Sequence, residues 1–309
     1  MIPGLDKWPR LAALLASARE VGATRTGVVY PLTAQALGAA SEAHRLGLMM
    51  AVLYGPGKRI TALAAQHGIS LNGIEIVDTA DNPVACAQQA VAACLRSELA
   101  ALMKGSLHTD ELLSAVVARD SGLRTAQRIS HAFVFDVPAY HKLLMVADAV
   151  VNVSPTAKIK QSIVQNAVHA AHKLGIVNPK VAFLAATESL HAGNPATGDA
   201  ALLNEMARAG AITGGILDGP FGFDNAISRR AADIKGIQSD VAGDADILIA
   251  PDLNAGNILY KSLVYMAGAE CAGVLLGTQV PVILTSRADS ETSRIASCAL
   301  SSLLAKRAS

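Results

Sequence analysis

The stretch PVACAQQAVAACLRSELAALMKGSLHTD, residues 83–110, decides the fold. Pro83–Arg96 is an Ala-rich amphipathic run of helical length. Leu99–Met103 is a short apolar run of strand length, and a polar, glycine-containing loop, Lys104–Asp110, leaves its end. A helix, a buried strand and then a polar loop make the repeating unit of a mostly parallel sheet. In such sheets the loops at the carboxyl ends of the strands carry the chemistry.

The alternation continues outward in both directions. Before this stretch, strands are expected at Thr26–Tyr30, Leu48–Leu53 and Gly73–Val77. After it they are expected at His131–Val137, Asp148–Val153, Val181–Ala185, Gly215–Asp218, Asp246–Ala250, Gly273–Leu276 and Pro281–Leu284. Further helices are expected at Thr33–Arg45, Thr156–Leu174 and Gly256–Ala267. Ser154, Pro155 and Thr156 mark one helix start, and Gly175 its end. The pattern predicts an α/β protein with helices on both faces of mostly parallel sheets. Residues up to about Leu123 form one array, and His131–Val137 opens a second. The last strand–helix pair, Pro281 to Ala305, reads as a return to the first array.

The 309 residues carry 26 Lys and Arg against 25 Asp and Glu, a formal charge of +1. That balance excludes a dedicated nucleic-acid binder and a polybasic membrane anchor. Hydrophobic residues at 51% and charged ones at 17% predict a large core. With aromatics at 4%, that core is built mainly from Ala, Val, Leu and Ile. Cys86, Cys94, Cys271 and Cys298 form no C-x-x-C pair and read as small core hydrophobes in a reducing cytoplasm. Met1 to Glu20 resembles a surface helix rather than a signal peptide. The apolar stretch Cys271 to Leu284 is too short and too interrupted to span a membrane. A cytoplasmic protein with neither a nucleic-acid nor a membrane partner is expected.

Five strand-end loops are candidates for chemistry. Lys104, Gly105, Ser106, His108, Thr109 and Asp110 offer a cation, hydroxyls and a helix start to an anion, or form an ordinary capped helix start. Gly122–His131 brings Arg124, Arg128 and Ser130, and a guanidinium fork suits phosphate, unless the two arginines are simply solvated. Asp218–Ala226 sets two carboxylates about a stiff Gly-Pro turn with two exposed-looking aromatics, Phe221 and Phe223, either as a wall of a ligand cleft or as a tight turn in which Asp224 caps the next helix. Pro251–Asn257 opens a helix with Asn254, Gly256 and Asn257. Thr285–Ser290 is the sharpest, with Ser286, Arg287 and Asp289 leaving one strand end together. Ser286 can serve an oxyanion, Arg287 a phosphate or carbonyl, and Asp289 a proton or its carrier. Asp289 or Ser290 can also cap the last helix. Walker, dinucleotide-fingerprint and nucleophile-elbow patterns are missing from the sequence, and no metal site is assigned.

These motifs resemble the phosphate acetyl/butyryltransferase family from about Leu99 onward. KGSLHT (104–109), GLRTAQRISH (122–131), SPTAKIKQSIVQNA (154–167), LDGPFGFDNA (217–226), PDLNAGN (251–257) and LTSRADS (284–290) occur in the family's order and spacing. The wording is nearest to the phosphate acetyltransferase half of fused enoyl-CoA hydratase/phosphate acetyltransferase proteins, and these residues hold no hydratase half. The resemblance implies the reaction acyl-CoA plus phosphate giving acyl phosphate plus CoA, with an acetyl or butyryl group and no organic cofactor. It implies a two-domain α/β/α fold like isocitrate/isopropylmalate dehydrogenase, divided as 1–127 with 278–309 and 128–277, with the active site in the cleft between them. A homodimer is implied, and a separate enoyl-CoA hydratase is one suggested partner.

The family's catalytic Ser-Arg pair falls on Ser286 and Arg287. Acetyl-specific members carry a Cys where Asp289 stands, whereas the butyryl-type branch has the SRAD form found here. The Asp proposed as their base falls near Ser293, so that role does not carry over. An arginine of acetyl-type members falls near Leu113, and Arg124 or Arg128 can supply its charge. The expected arrangement has Arg287 and Arg124 bracketing phosphate and Ser286 on the carbonyl oxygen, with Asp289 as base or as orienter of Arg287. Lys104, Ser106, Arg128, Ser130 and Asn257 complete the expected phosphate and CoA contacts. Two rival readings of the same residues remain. One is a metal- and NAD-dependent hydroxy-acid dehydrogenase using Asp218, Asp224 and Asp252, and the other is a non-catalytic CoA-binding subunit that has lost its base.

Overall fold

A computed structural model describes residues 5–284, 286 and 289–305. By contacts the chain divides into a unit of residues 1–126 with 272–309 and a unit of residues 127–271.

In the first unit the elements run α1 (Pro9–Val21), β1 (Thr24–Val29), α2 (Ala34–Arg45), β2 (Met49–Gly55), α3 (Gly57–His67), β3 (Glu75–Asp78), α4 (Pro83–Leu95), β4 (Ala101–Lys104) and α5 (Thr109–Val117). In the second they run β5 (Ser130–Asp136), β6 (Leu144–Ala147), α6 (Ala157–Lys173), β7 (Lys180–Leu184), α7 (Pro195–Arg208), β8 (Ile216–Phe221), α8 (Phe223–Ile227), α9 (Arg229–Ile234), β9 (Ile247–Ile249) and α10 (Leu253–Tyr265). β10 (Glu270–Leu276) leads back to the first unit, which closes with β11 (Val282–Ile283) and α11 (Glu291–Ala305).

The strands of the first unit lie in the order β3-β2-β1-β4-β11-β10. All neighbours from β3 to β11 are parallel, and β10 is antiparallel to β11. From β1 the chain steps outward to β2 and β3, then returns to the other side of β1 as β4. Right-handed crossovers therefore put α2 and α3 on one face and α4 on the other. The α2 face packs Val28, Leu37, Ala40, Leu53, Met103, Ile283 and Cys298 into a core whose buried members include no aromatic ring. Close packing of short side chains, not ring stacking, holds this unit together.

The second unit has the order β5-β6-β9-β7-β8, parallel except for β5 against β6. The scarce aromatics gather here: Phe133, Phe135, Tyr140 and Phe221 are buried, and Tyr260 stacks on Phe133 with ring centroids 4.1 Å apart. Phe221, expected to be exposed, is core, because it is the last residue of β8 and faces the sheet interior.

The expected strand at Asp148–Val153 is a loop, and the strand is β6, just before it. Asp148 explains this. Its buried carboxylate accepts hydrogen bonds from the N–H groups of Val150, Val151 and Asn152, which a strand would have used in its ladder. Helix starts follow their caps: Thr33, Asn82, Thr156 and Asp252 each accept from a backbone N–H of the first turn. No described helix is long and apolar enough to cross a membrane.

One core residue works against the fold. His131 on β5 is fully buried, and both ring nitrogens lack a hydrogen-bond partner among the described residues. Burial drives its pKa down from 6.5 to about 3. A folded-state value below the unfolded one means that full stability is present above pH 6.5. It is then lost as pH falls from 6.5 towards 3, by roughly 1 kcal/mol per pH unit. His131→Leu removes both the unpaired nitrogens and this acid sensitivity. The variant is expected to unfold at a higher temperature at pH 7.5, by an amount equivalent to about 1 kcal/mol, with a wider gap at pH 5. Calorimetry at the two pH values checks this, and equal or lower stability of the variant at pH 5 would contradict it.

Candidate active site

β1 and β4 are neighbours whose connections leave in opposite directions. The crevice outside their carboxyl ends is therefore a topological switch point, the natural ligand position in such sheets. A pocket of about 170 Å³ lies there, lined by Thr33, Gln35 and Ala36 after β1, Lys104, Gly105 and Ser106 after β4, and Ser286 and Arg294 from the segment after β11. All eight residues belong to the first unit.

The loops are fastened to one another by backbone. Gly105 N–H donates to the Val29 carbonyl at 2.9 Å, and Ser106 N–H to the Tyr30 carbonyl at 2.8 Å. Tyr30 holds a left-handed backbone, with φ of 55°, a strained state for a bulky side chain. Its ring is tied down at the far end, where its hydroxyl donates to Asp81 at 2.6 Å and Arg59 pairs with the same carboxylate. Accepting that hydrogen bond, the Asp81 carboxylate raises the Tyr30 pKa above the ordinary value. Thr33 caps α2 and its hydroxyl meets that of Ser106 at 3.4 Å.

The first turn of α2 has no acidic residue, so its partial positive charge faces the pocket uncancelled. The first turn of α5 carries Asp110 and Glu111, and Glu111 accepts from the His108 N–H. The helix start that serves the pocket is thus α2 rather than the expected α5. Lys104 is buried, and its ammonium lies 3.4 Å from the Leu107 carbonyl.

Beyond β11, Ser286 is exposed, and its N–H donates to the Asp289 carboxylate at 2.6 Å. The Asp289 N–H reaches back to the Ser286 carbonyl at 3.3 Å. Ser290 caps α11, accepting from Ser293 N–H at 2.8 Å. The cap and the turn are therefore divided between the two residues: Ser290 starts the helix and Asp289 shapes the Ser286 turn. Arg287 lies outside the described residues.

Of the other expected contacts, Arg124 belongs to the first unit and Arg128, Ser130 and Asn257 to the second. Arg124 is exposed beside Thr278, with which it forms an isolated bridge, and it does not line the pocket. In the second unit, Arg128 is exposed and donates to Asn152 at 3.4 Å. Asn152 also binds Asp148 and the Ile129 carbonyl. Ser130 is fully buried, and its hydroxyl accepts from Asn166. Asn257 on α10 donates to the Ala149 carbonyl at 3.2 Å. Of the carboxylates a dehydrogenase reading requires, Asp218 accepts from the N–H of Gly219, Asp224 lies 3.7 Å from Lys235, and Asp252 caps α10. Among the described residues, no three His, Cys, Asp or Glu side chains group as metal ligands would.

A family model described as phosphate acetyl/butaryl transferase matches residues 87–302. A phosphate acetyltransferase of Rhizobium meliloti is 46% identical, covering 97% of this chain and 96% of that one. The chain belongs to the phosphate acetyl/butyryltransferase family. A phosphate butyryltransferase of Clostridium beijerinckii is 39% identical over 95% of this chain and 97% of its own length. The crystal structure of a branched-chain phosphotransacylase from Enterococcus faecalis superposes with a TM-score of 0.80 at 28% identity, covering 91% and 99% of the two chains.

Three features of this phosphate acyltransferase family member escape the motif reading. Thr33 and Gln35 belong to the first strand–helix turn, which carries no glycine fingerprint. Arg294 lies beyond the SRAD motif, inside a helix buried from Thr292 to Ser302. The available signal was an arginine between Ser293 and Ile295, in a stretch too apolar to leave a charge in solvent.

Proposed function

We propose that the protein moves a short acyl group between CoA and inorganic phosphate: acyl-CoA plus phosphate gives acyl phosphate plus CoA. The observation that carries this reading is the pocket at the β1–β4 switch. In a chain of this family, it sets a buried lysine, hydroxyls and a helix start around a space with no carboxylate among the described residues that line it. Lys104, Ser106 and the first turn of α2 hold phosphate. A phosphate oxygen attacks the thioester carbonyl and an O–C bond forms. The carbonyl oxygen gains negative charge, and the Ser286 hydroxyl donates to it. Collapse of this intermediate breaks the C–S bond, and the departing CoA thiolate takes up at sulfur the proton that hydrogen phosphate loses on becoming acyl phosphate. In reverse, the thiol gives up that proton and attacks acyl phosphate. Asp289, which already holds the Ser286 N–H, orients the attacking site. Arg287 shares the phosphate charge. No organic cofactor enters these steps. A homodimer is part of the proposal. Its support is α10, in which only Gly256 and Leu263 are buried while Ile258, Tyr265 and the adjoining Met266 are exposed.

The test is release of CoA thiol from acetyl-, propionyl- and butyryl-CoA, with and without phosphate. All four cysteines are buried, and burial raises Cys94 and Cys298 to about 12, so a thiol reagent reads CoA rather than protein. Release that requires phosphate and yields acyl phosphate is expected. Release from no thioester, or release indifferent to phosphate, would refute the reading.

A further inference from the structure

Two of the pocket's lining side chains are cations, and both are nearly out of solvent: Lys104 and Arg294 are each 8% exposed. They arrive from different elements, Lys104 as the last residue of β4 and Arg294 from α11. An anion that enters this space meets a cation from each of two elements, in surroundings where little water screens the attraction. Arg294 makes a second, specific contact. Its Nη2 donates to the Ser286 carbonyl at 3.2 Å. The Ser286 residue is therefore held from both sides, its N–H by Asp289 and its carbonyl by Arg294. A guanidinium carries five donors in a rigid fork, so one side chain can hold a peptide carbonyl and an anion at once.

We propose that Arg294 binds the phosphate in this pocket and positions Ser286 against it, coupling the anion site to the hydroxyl that serves the acyl carbonyl. This rests on the reading of the pocket as the phosphate site. Arg294 thus has two roles: it contacts the substrate, and it positions Ser286.

The test compares the wild type with Arg294→Gln and Arg294→Lys, measuring KM for phosphate, KM for acyl-CoA, kcat and the rise in melting temperature caused by inorganic phosphate. Arg294→Gln is expected to raise the phosphate KM about 10- to 100-fold and to lower kcat. The acyl-CoA KM should change by less than about threefold, and most of the phosphate-induced melting shift should vanish. Arg294→Lys keeps the charge but not the fork, and should fall between the two. A purely structural role would lower the melting temperature and leave the phosphate KM in place. A phosphate KM within twofold of wild type in either folded variant overturns the proposal. If the glutamine variant does not fold, the lysine variant decides alone. If no thioester is turned over, the functional reading fails separately. The phosphate-induced melting shift still judges Arg294: a shift lost in the variants supports it, and a shift that is equal in all three proteins, or absent from the wild type, overturns it.

Discussion

Gly105→Ala is expected to cut turnover by about 100-fold or more and to destabilise the protein. A β-carbon at this position would lie 2.3 Å from the Val29 carbonyl oxygen and 2.7 Å from both the carbonyl carbon and oxygen of Tyr30. These are backbone atoms at the end of β1, so no side chain can swing aside. The loop cannot back away either, because Gly105 and Ser106 N–H groups bond to those two carbonyls. Relief requires breaking both bonds, at about 1 kcal/mol each, with a further ~1–3 kcal/mol of overpacking. The displaced loop carries Lys104 and Ser106 with it. A misplacement of about 1 Å in a reacting group can cost about 100-fold, so kcat/KM for phosphate should fall at least that far. Gly198→Ala is the control. On α7, a β-carbon there meets nothing within 4 Å, and the change should be neutral or stabilising by up to about 1 kcal/mol. Turnover near normal in Gly105→Ala would show that the loop does not carry the phosphate.

Ser286→Ala is expected to lower kcat without unfolding anything. The side chain is exposed, and alanine keeps the N–H that donates to Asp289 and the carbonyl that accepts from Arg294. Stability should change by less than about 0.5 kcal/mol. Loss of one oxyanion donor costs ~2.7–4 kcal/mol, so kcat should drop by about 10²- to 10³-fold with the phosphate KM little changed. The neighbouring carboxylate gives a sharper comparison. If Asp289 acts by holding the Ser286 N–H, Asp289→Asn retains an accepting oxygen and most of the turnover, while Asp289→Ala loses it. If Asp289 takes the proton, both variants fail alike. Steady-state kinetics on the three variants separates these outcomes, and a Ser286→Ala enzyme with wild-type kcat would remove the hydroxyl from the mechanism.

The alternation of short apolar runs with Ala-rich ones was enough to read the β/α order, because each strand of a buried parallel sheet must be apolar throughout and each helix must cover it. It failed at Asp148–Val153, where a buried carboxylate captured the N–H groups that the strand pattern required. At the site, Lys104, Ser106 and Ser286 could be found because they stand at strand ends in polar loops. Thr33 and Gln35 could not, since their part is played by a helix start whose residues are chemically ordinary. Arg294 was hidden for another reason. Its importance comes from a buried helix bringing it over a loop that precedes it in sequence, and spacing along the chain does not report that approach. Burial was equally silent for Ser130 and His131, one satisfied by Asn166 and the other by nothing described.

Arsenate has the shape and charge of phosphate, and its arsenic can be located by anomalous X-ray scattering. Crystals grown with arsenate should show one arsenic in the β1–β4 pocket, with oxygens in hydrogen-bond reach of the Lys104 ammonium and the Ser106 hydroxyl. Arsenate bound elsewhere, with that pocket empty at a concentration that supports thiol release, would contradict the assignment of the pocket to the inorganic substrate.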